Sequence, residues 1–177
     1  MRIISGKYKG RRLQAPRNLP TRPTTDRAKE GLFNILNNWV ELQDAEVLDL
    51  FSGIGSISLE FLSRYAAQVD SVEQHMNCVK YQTQIKQELE IPNWNILKQD
   101  AFKFIHKAFK PYDIIFADPP YEQGLAENIF NYDIFKLLKT DGLIIIEHEE
   151  RLDLSQLPNF VECRKYGHVS FSFFQKS

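Results

Sequence analysis

Three features of this 177-residue chain predict an α/β fold built on a mostly parallel, doubly wound sheet of seven strands. From Glu46 onward, short apolar runs alternate with longer segments of helical periodicity, the pattern of repeated strand–helix–strand units. Runs such as Leu143-Ile144-Ile145-Ile146 are apolar at every position, which suits a strand buried on both faces. The last two apolar segments, Phe160–Tyr166 and Val169–Phe174, are separated only by Gly167-His168, so they read as an antiparallel hairpin on the sheet edge.

The elements follow in order. Residues 2–15 read as a β-hairpin, with Gly6 and Gly10 supplying the turn. Its apolar content is too small for a domain, so it is expected to be an appendage carrying Lys7, Tyr8, Lys9, Arg11 and Arg12 outward. Pro16 through Pro23 is a linker. Thr24 or Thr25 then caps a helix with Asp26 in its first turn, and Ala28, Leu32, Ile35, Leu36 and Trp39 share one face. Strands are expected at Val47–Phe51, Val69–Glu73, Trp94–Lys98, Ile114–Ala117 and Leu143–Glu147, and helices at about 55–65, 75–90, 101–109 and 124–139. The whole chain, 1–177, is expected to be one domain, with a basic head (1–40) on a doubly wound core (45–177).

Charge divides the chain the same way. Residues 1–40 hold nine Lys or Arg against two acids, a net +7, whereas the remainder is −8. A basic head on an acidic body suits a polyanion approached from one side. No apolar run approaches the roughly 20 residues of a membrane span, and the N-terminus lacks a signal-type apolar stretch. Cys78 and Cys163 have neither metal-ligand nor disulfide-framework spacing, and His75, His106, His148 and His168 show no ligand spacing. No metal, no membrane and a reducing cytoplasm are therefore the expectation, with a monomer as the simplest assembly.

Two sets of residues carry chemistry. In the first, Asp49-Leu50-Phe51-Ser52-Gly53-Ile54-Gly55-Ser56 follows the first strand, where Gly53 and Gly55 would let the backbone approach a ligand. As a dinucleotide fingerprint the segment fails, because the third glycine position is Ser58, and no Gly-x-x-x-x-Gly-Lys loop exists. Acids recur instead at strand ends: Asp49, Glu73 and Asp100. Such ends line one crevice in a doubly wound sheet. A negative crevice without a phosphate loop favours a cationic nucleoside, S-adenosylmethionine, over NAD. Glu73 is placed for the ribose hydroxyls, Asp100 for the adenine amine and the Ala101 N–H for the adenine ring. Asp49 and the glycine backbone would flank the amino acid part.

The second set is Asp118-Pro119-Pro120-Tyr121, directly after the apolar run 114–117. Consecutive prolines end the strand and stiffen the turn. An acid, fixed carbonyls and a flat ring suit an exocyclic amine on a nucleobase.

Together with Glu73 and Asp100-Ala101, these motifs resemble class I S-adenosylmethionine-dependent methyltransferases (Rossmann-like fold) of the amino-group type. Met1-Arg2-Ile3-Ile4-Ser5-Gly6, Arg22-Pro23-Thr24-Thr25-Asp26-Arg27 and Glu30-x-Leu32-Phe33-Asn34 narrow the resemblance, across nearly the whole chain, to the RsmD family. These bacterial enzymes methylate N2 of a guanine in 16S ribosomal RNA. The resemblance implies that Asp118 and the Pro119 carbonyl accept the amine hydrogens while Tyr121 stacks on the base. It implies that the segment from Asp49 through Phe51, Gly53 and Gly55 holds S-adenosylmethionine together with Glu73, Asp100 and Ala101. It also implies that Lys7, Lys9, Arg11, Arg12, Arg22 and Arg27 meet RNA backbone, with an ion pair from Arg27 to Asp26 or Glu30 as an equal alternative. The expected substrate is the 30S subunit or a late assembly intermediate. A DNA adenine-N6 methyltransferase, a non-catalytic RNA-binding protein and an NAD-dependent oxidoreductase are the rival readings.

Overall fold

The computed structural model describes residues 1–20, 24–122 and 124–176. Seven strands form one sheet: β1 (Glu46–Leu50), β2 (Gln68–Glu73), β3 (Trp94–Lys98), β4 (Tyr112–Ala117), β5 (Leu138–Glu149), β6 (Phe160–Tyr166) and β7 (Val169–Gln175). Their spatial order is β3-β2-β1-β4-β5-β7-β6. The first five strands pair in parallel, while β7 runs antiparallel to both β5 and β6. This is the expected doubly wound sheet closed by an antiparallel hairpin.

Alternation along each strand divides the interior into two layers. Val47, Val69, Ile114, Phe116, Leu143 and Ile145 face one cluster. That side is covered by α1 (Asp26–Trp39), α2 (Ser56–Ser63) and α3 (Met76–Glu88). Leu48, Leu50, Ile115, Ala117, Ile144 and Ile146 face the other, under α4 (Ala101–Lys107) and α5 (Leu125–Asn128). Thr25 caps α1, its hydroxyl accepting the Ala28 N–H at 3.2 Å. The reversal of strand order between β2-β1 and β4 opens the crevice that such sheets use for ligands.

Two expectations are corrected. The helix over 124–139 is broken into the four-residue α5 and two short 3-10 turns, Ile129–Tyr132 and Ile134–Leu137. Asp133 between them is left-handed, at φ 55°, and Asn, Tyr, Phe and Ile around it are weak helix formers. The N-terminal ribbon is not an outlying appendage either. Arg2 and Arg12 do pair antiparallel, but the ribbon is fastened to α2.

That fastening centres on Glu60, which is fully buried. Its Oε2 accepts the Ile4 N–H at 2.9 Å and its Oε1 accepts the Ser5 N–H at 3.0 Å. Arg64 Nε donates to the same Oε1, and the buried Lys29 Nζ lies 3.8 Å from Oε2 while donating to the Arg2 carbonyl and Ser56 Oγ. Burial pushes the Lys29 ammonium pKa down, and the Glu60 charge opposes the shift. At the end of α2, Ser63 Oγ accepts the Tyr8 N–H, and the Lys7 N–H meets the Ser63 carbonyl. Gly6 sits so close there, at φ 80°, that a Cβ would lie 1.8 Å from the Ser63 carbonyl oxygen.

Tyr8, expected to point outward, is therefore buried, because its backbone is drawn onto α2. Lys7, Lys9, Arg11 and Arg12 remain exposed. Cys78 is buried and Cys163 exposed, with no disulfide between them. No helix among the described residues is long and apolar enough to cross a membrane.

Candidate active site

The site grows from two rows of side chains on one face of the sheet. Strand register aligns Ser71, Asp49, Phe116 and Ile145 across β2, β1, β4 and β5. Two residues further along three of those strands come Glu73, Asp118 and Glu147, which share that face by alternation. Asp49, Glu73, Asp118 and Glu147 together line a cavity of about 600 Å³, within the range of small-molecule sites. Phe51, Gly53, Ala101, Pro119 and Tyr121 line it too.

No lysine or arginine is among the described residues of the lining. Four carboxylates with neither lysine nor arginine among the described lining residues suit a positively charged nucleoside, so the donor set fits S-adenosylmethionine.

Local bonding explains the shape. The Gly53 N–H donates to Glu73 Oε2 at 2.8 Å and the His75 N–H to Oε1 at 2.7 Å. Glu73 thereby draws the loop after β1 towards the end of β2, and each oxygen retains a lone pair for a ligand. Gln82 of α3 braces the same loop, its Nε2 donating to Ser52 Oγ at 2.9 Å and to the Gly53 carbonyl at 2.6 Å.

Ser58, the residue that spoils the dinucleotide fingerprint, has its own task. Its hydroxyl and N–H both donate to Asp49 Oδ2, and the Ser71 hydroxyl, 2.6 Å away, donates to Ser58 Oγ while accepting the Trp94 Nε1–H. Gly55 does not line the cavity. It is left-handed, at φ 78°, and a Cβ there would lie 2.7 Å from the Trp94 ring, so close packing and turn geometry require the glycine. Asp100 caps α4, its Oδ1 accepting the Lys103 N–H at 2.9 Å, and its neighbour Ala101 is the residue on the cavity wall.

Asp118 has no side-chain hydrogen bond among the described residues, whereas its N–H is held by the Leu50 carbonyl at 3.3 Å. The Pro120 carbonyl accepts the Glu122 N–H at 2.7 Å, while the Pro119 carbonyl has no donor among the described residues. Tyr121 is 55 % exposed at the rim. Free acceptors beside a free ring are what an incoming amine-bearing base requires.

Burial pushes the Asp49 carboxyl pKa up to about 7, against the bonds from Ser58. Burial and the neighbouring charges of Glu147 and Asp49 push Asp118 upward. Glu147 is raised by burial, with the Thr24 hydroxyl opposing.

Glu147 is not among the site residues the sequence marks, and Thr24 is marked only as a helix cap and as part of the Arg22–Arg27 motif. Glu147 closes the strand expected at Leu143–Glu147, two residues short of the end of β5, so the strand-end pattern was a usable signal; the Thr24 contact to it spans 123 residues. Arg27 is exposed, and Asp26 pairs with Arg2 at 3.2 Å, not with Arg27. Arg22 lies outside the described residues.

The fold, the acid-lined cavity and the proline-stiffened turn together define an S-adenosylmethionine-dependent methyltransferase. The chain belongs to the family described as Conserved hypothetical protein 95, whose model matches residues 1–175, so the resemblance to the RsmD family holds. It is 35% identical to Ribosomal RNA small subunit methyltransferase D of Escherichia coli K12, over 99% of this chain and 90% of that protein. It is 31% identical to the protein of the same name from Haemophilus influenzae, over 99% and 93%. The solved structure of yhhF from Escherichia coli matches at a TM-score of 0.88 and 34% identity, covering 99% of this chain and 97% of that one.

Proposed function

We propose that this protein methylates the exocyclic N2 of a guanine in 16S ribosomal RNA, on the 30S subunit or a late precursor of it. It acts as a single-domain monomer in the cytoplasm and without a metal. The observation that carries the reading is the unpaired Asp118 carboxylate beside the open Pro119 carbonyl, at the wall of an acid-lined cavity.

Bound S-adenosylmethionine supplies a sulfonium methyl already activated for transfer. The chain's residues orient and stabilise. Glu73 takes the ribose hydroxyls on its remaining lone pairs, and the Ala101 N–H meets the adenine ring with the free oxygen of Asp100 on its amine. Asp49, Phe51 and Gly53 wall the amino acid part, and Gly55 acts at one remove by shaping their loop. Asp118 and the Pro119 carbonyl accept the two amine hydrogens, drawing the nitrogen lone pair out of the ring and stabilising its developing positive charge. The displaced proton passes to Asp118 and then to water. Orientation of this kind lowers a barrier by several kcal/mol, up to about 7–11 in ideal cases. Tyr121 stacks on the base, worth roughly 1–3 kcal/mol, once that base has left its own stack.

The four exposed cations Lys7, Lys9, Arg11 and Arg12, with Arg22 and Arg27, meet the RNA backbone. Changing the first four to glutamine is expected to weaken RNA binding and reduce the slope of log K against log salt by up to about 0.7–0.9 per lost phosphate contact. S-adenosylhomocysteine binding stays unchanged; equal loss of both would show that the ribbon serves the cofactor cavity.

Asp49, Asp118 and Glu147 hold their protons more tightly folded than unfolded. Their contribution to stability is fully present below their unfolded values, near pH 4, and is lost as pH rises through about 7, where Asp49 ionises. The ligand-free protein should therefore lose thermal stability from pH 5.5 to 7.5, with a shallower fall in Asp49→Asn. Over the same window, affinity for S-adenosylmethionine should rise relative to S-adenosylhomocysteine, whose sulfur is neutral. A ratio independent of pH would contradict the assignment of this crevice to the sulfonium.

The overall function is tested by transferring labelled methyl groups to 16S RNA, 30S particles and DNA in parallel and identifying the modified nucleoside. N2-methylguanine in the ribosomal substrates is the expected product. N6-methyladenine in DNA, or no product anywhere, would overturn the reading.

A further inference from the structure

We propose that Glu147 reads the N1–H of the target base and so makes the site selective for guanine, an inference that rests on the guanine-N2 reading above. The register of β4 with β5 pairs Ala117 with Ile146, so one step on Asp118 stands beside Glu147. Neighbouring strands are about 4.8 Å apart, and both side chains project from the face that carries Phe116 and Ile145. The two carboxylates are thus adjacent and turned to the same cavity.

Glu147 is only 4 % exposed. Thr24 Oγ1 donates to its Oε2 at 2.8 Å, which fixes the carboxylate from the start of α1, and Oε1 has no partner among the described residues. Its neighbours on that face are Ile145 and Phe171, both buried and apolar. Packing alone would be served better there by a hydrophobic side chain, since desolvating a carboxylate is costly. A ligand that brings a donor offsets that cost.

The chemistry of the bases selects the ligand. On the Watson–Crick edge of guanine, the amine at N2 sits beside N1–H, two donors in a row. The adenine amine sits beside N1 and the cytosine amine beside N3, both bare acceptors. In its ionised form a second carboxylate next to Asp118 completes a pair of bonds with guanine, and places lone pair against lone pair with adenine or cytosine. Recognition by hydrogen bonds to buried polar groups discriminates strongly because the wrong base leaves those groups unpaired.

The test uses small-subunit particles whose RNA carries either guanine or 2-aminopurine at the position the wild-type enzyme methylates. 2-Aminopurine keeps the reacting amine but has an unprotonated N1. In single-turnover assays the wild type should prefer guanine by about 10- to 100-fold, the worth of one hydrogen bond to a charged group. In Glu147→Ala and Glu147→Gln the preference should fall below about threefold, with S-adenosylhomocysteine bound at least as well as by the wild type. The near-isosteric Gln carries the test if Ala fails to fold, since its amide can offer oxygen to N1–H or nitrogen to a bare N1. A preference that survives either substitution overturns the inference, even if the guanine rate falls, because Glu147 would then only support the cavity. Wild-type enzyme that places no methyl on guanine N2 sinks the functional reading itself, and the inference with it.

Discussion

Replacing Asp118 with alanine is expected to slow methyl transfer to ribosomal particles by about 10²–10³-fold, the usual loss when one fixed electrostatic partner of a developing charge is removed. The carboxylate has no structural partner among the described residues to abandon, so folding should be spared. Because its bond to the amine strengthens only as positive charge builds, kcat and kcat/KM should fall together. S-adenosylhomocysteine should bind at least as well, since one of four crowded carboxylates is gone. Asp118→Asn keeps an acceptor oxygen and should lose less. Near-wild-type turnover in the alanine variant would remove the basis of the mechanism.

The second large effect lies outside the cavity. Glu60→Ala is expected to destabilise the protein by about 3–5 kcal/mol, as breaking a buried ion pair does. For a chain of this size that lowers the melting midpoint by roughly 6–20 °C. The substitution leaves Lys29 buried beside an empty acceptor position and removes the acceptor of the Ile4 and Ser5 N–H groups. The ribbon should loosen before the core does. Trypsin, which cuts after Lys and Arg, should cleave at Lys7, Lys9, Arg11 or Arg12 in the variant under conditions where the wild type resists. A loss below about 1 kcal/mol with a trypsin-resistant ribbon would mean that Gly6, Tyr8 and Ser63 hold it alone.

The sheet was legible because its signal is local. A strand covered on both faces must be apolar at every position, and Leu143–Ile146 announces that without reference to anything else. Asp118 is legible for the same reason, directly after the apolar run Ile114-Ile115-Phe116-Ala117. Tyr8 was misread because the charges beside it suggested an exposed ribbon, whereas its burial is decided by Ser63, 55 residues away. Gly55 is expected to approach the cofactor, but it lies off the cavity wall, and what presses on it, the Trp94 ring, arrives from another strand. The segment after Gly124 offered helical spacing, yet a single left-handed residue at Asp133 divides it. Glu147 is not marked because the apolar run before it speaks only of burial, although it closes the expected strand Leu143–Glu147 as Glu73 closes its own.

The Glu60 clamp also sets an order of events during synthesis. The basic segment leaves the ribosome first, but the Ile4 N–H waits for an acceptor 56 residues later, and the Thr24 hydroxyl waits 123 residues for Glu147. At roughly 5–20 residues per second, the wait for Glu60 lasts about 3–11 s and the wait for Glu147 about 6–25 s. Until Glu60 emerges, the cationic ribbon has nothing of its own chain to fasten to beside the ribosome's RNA.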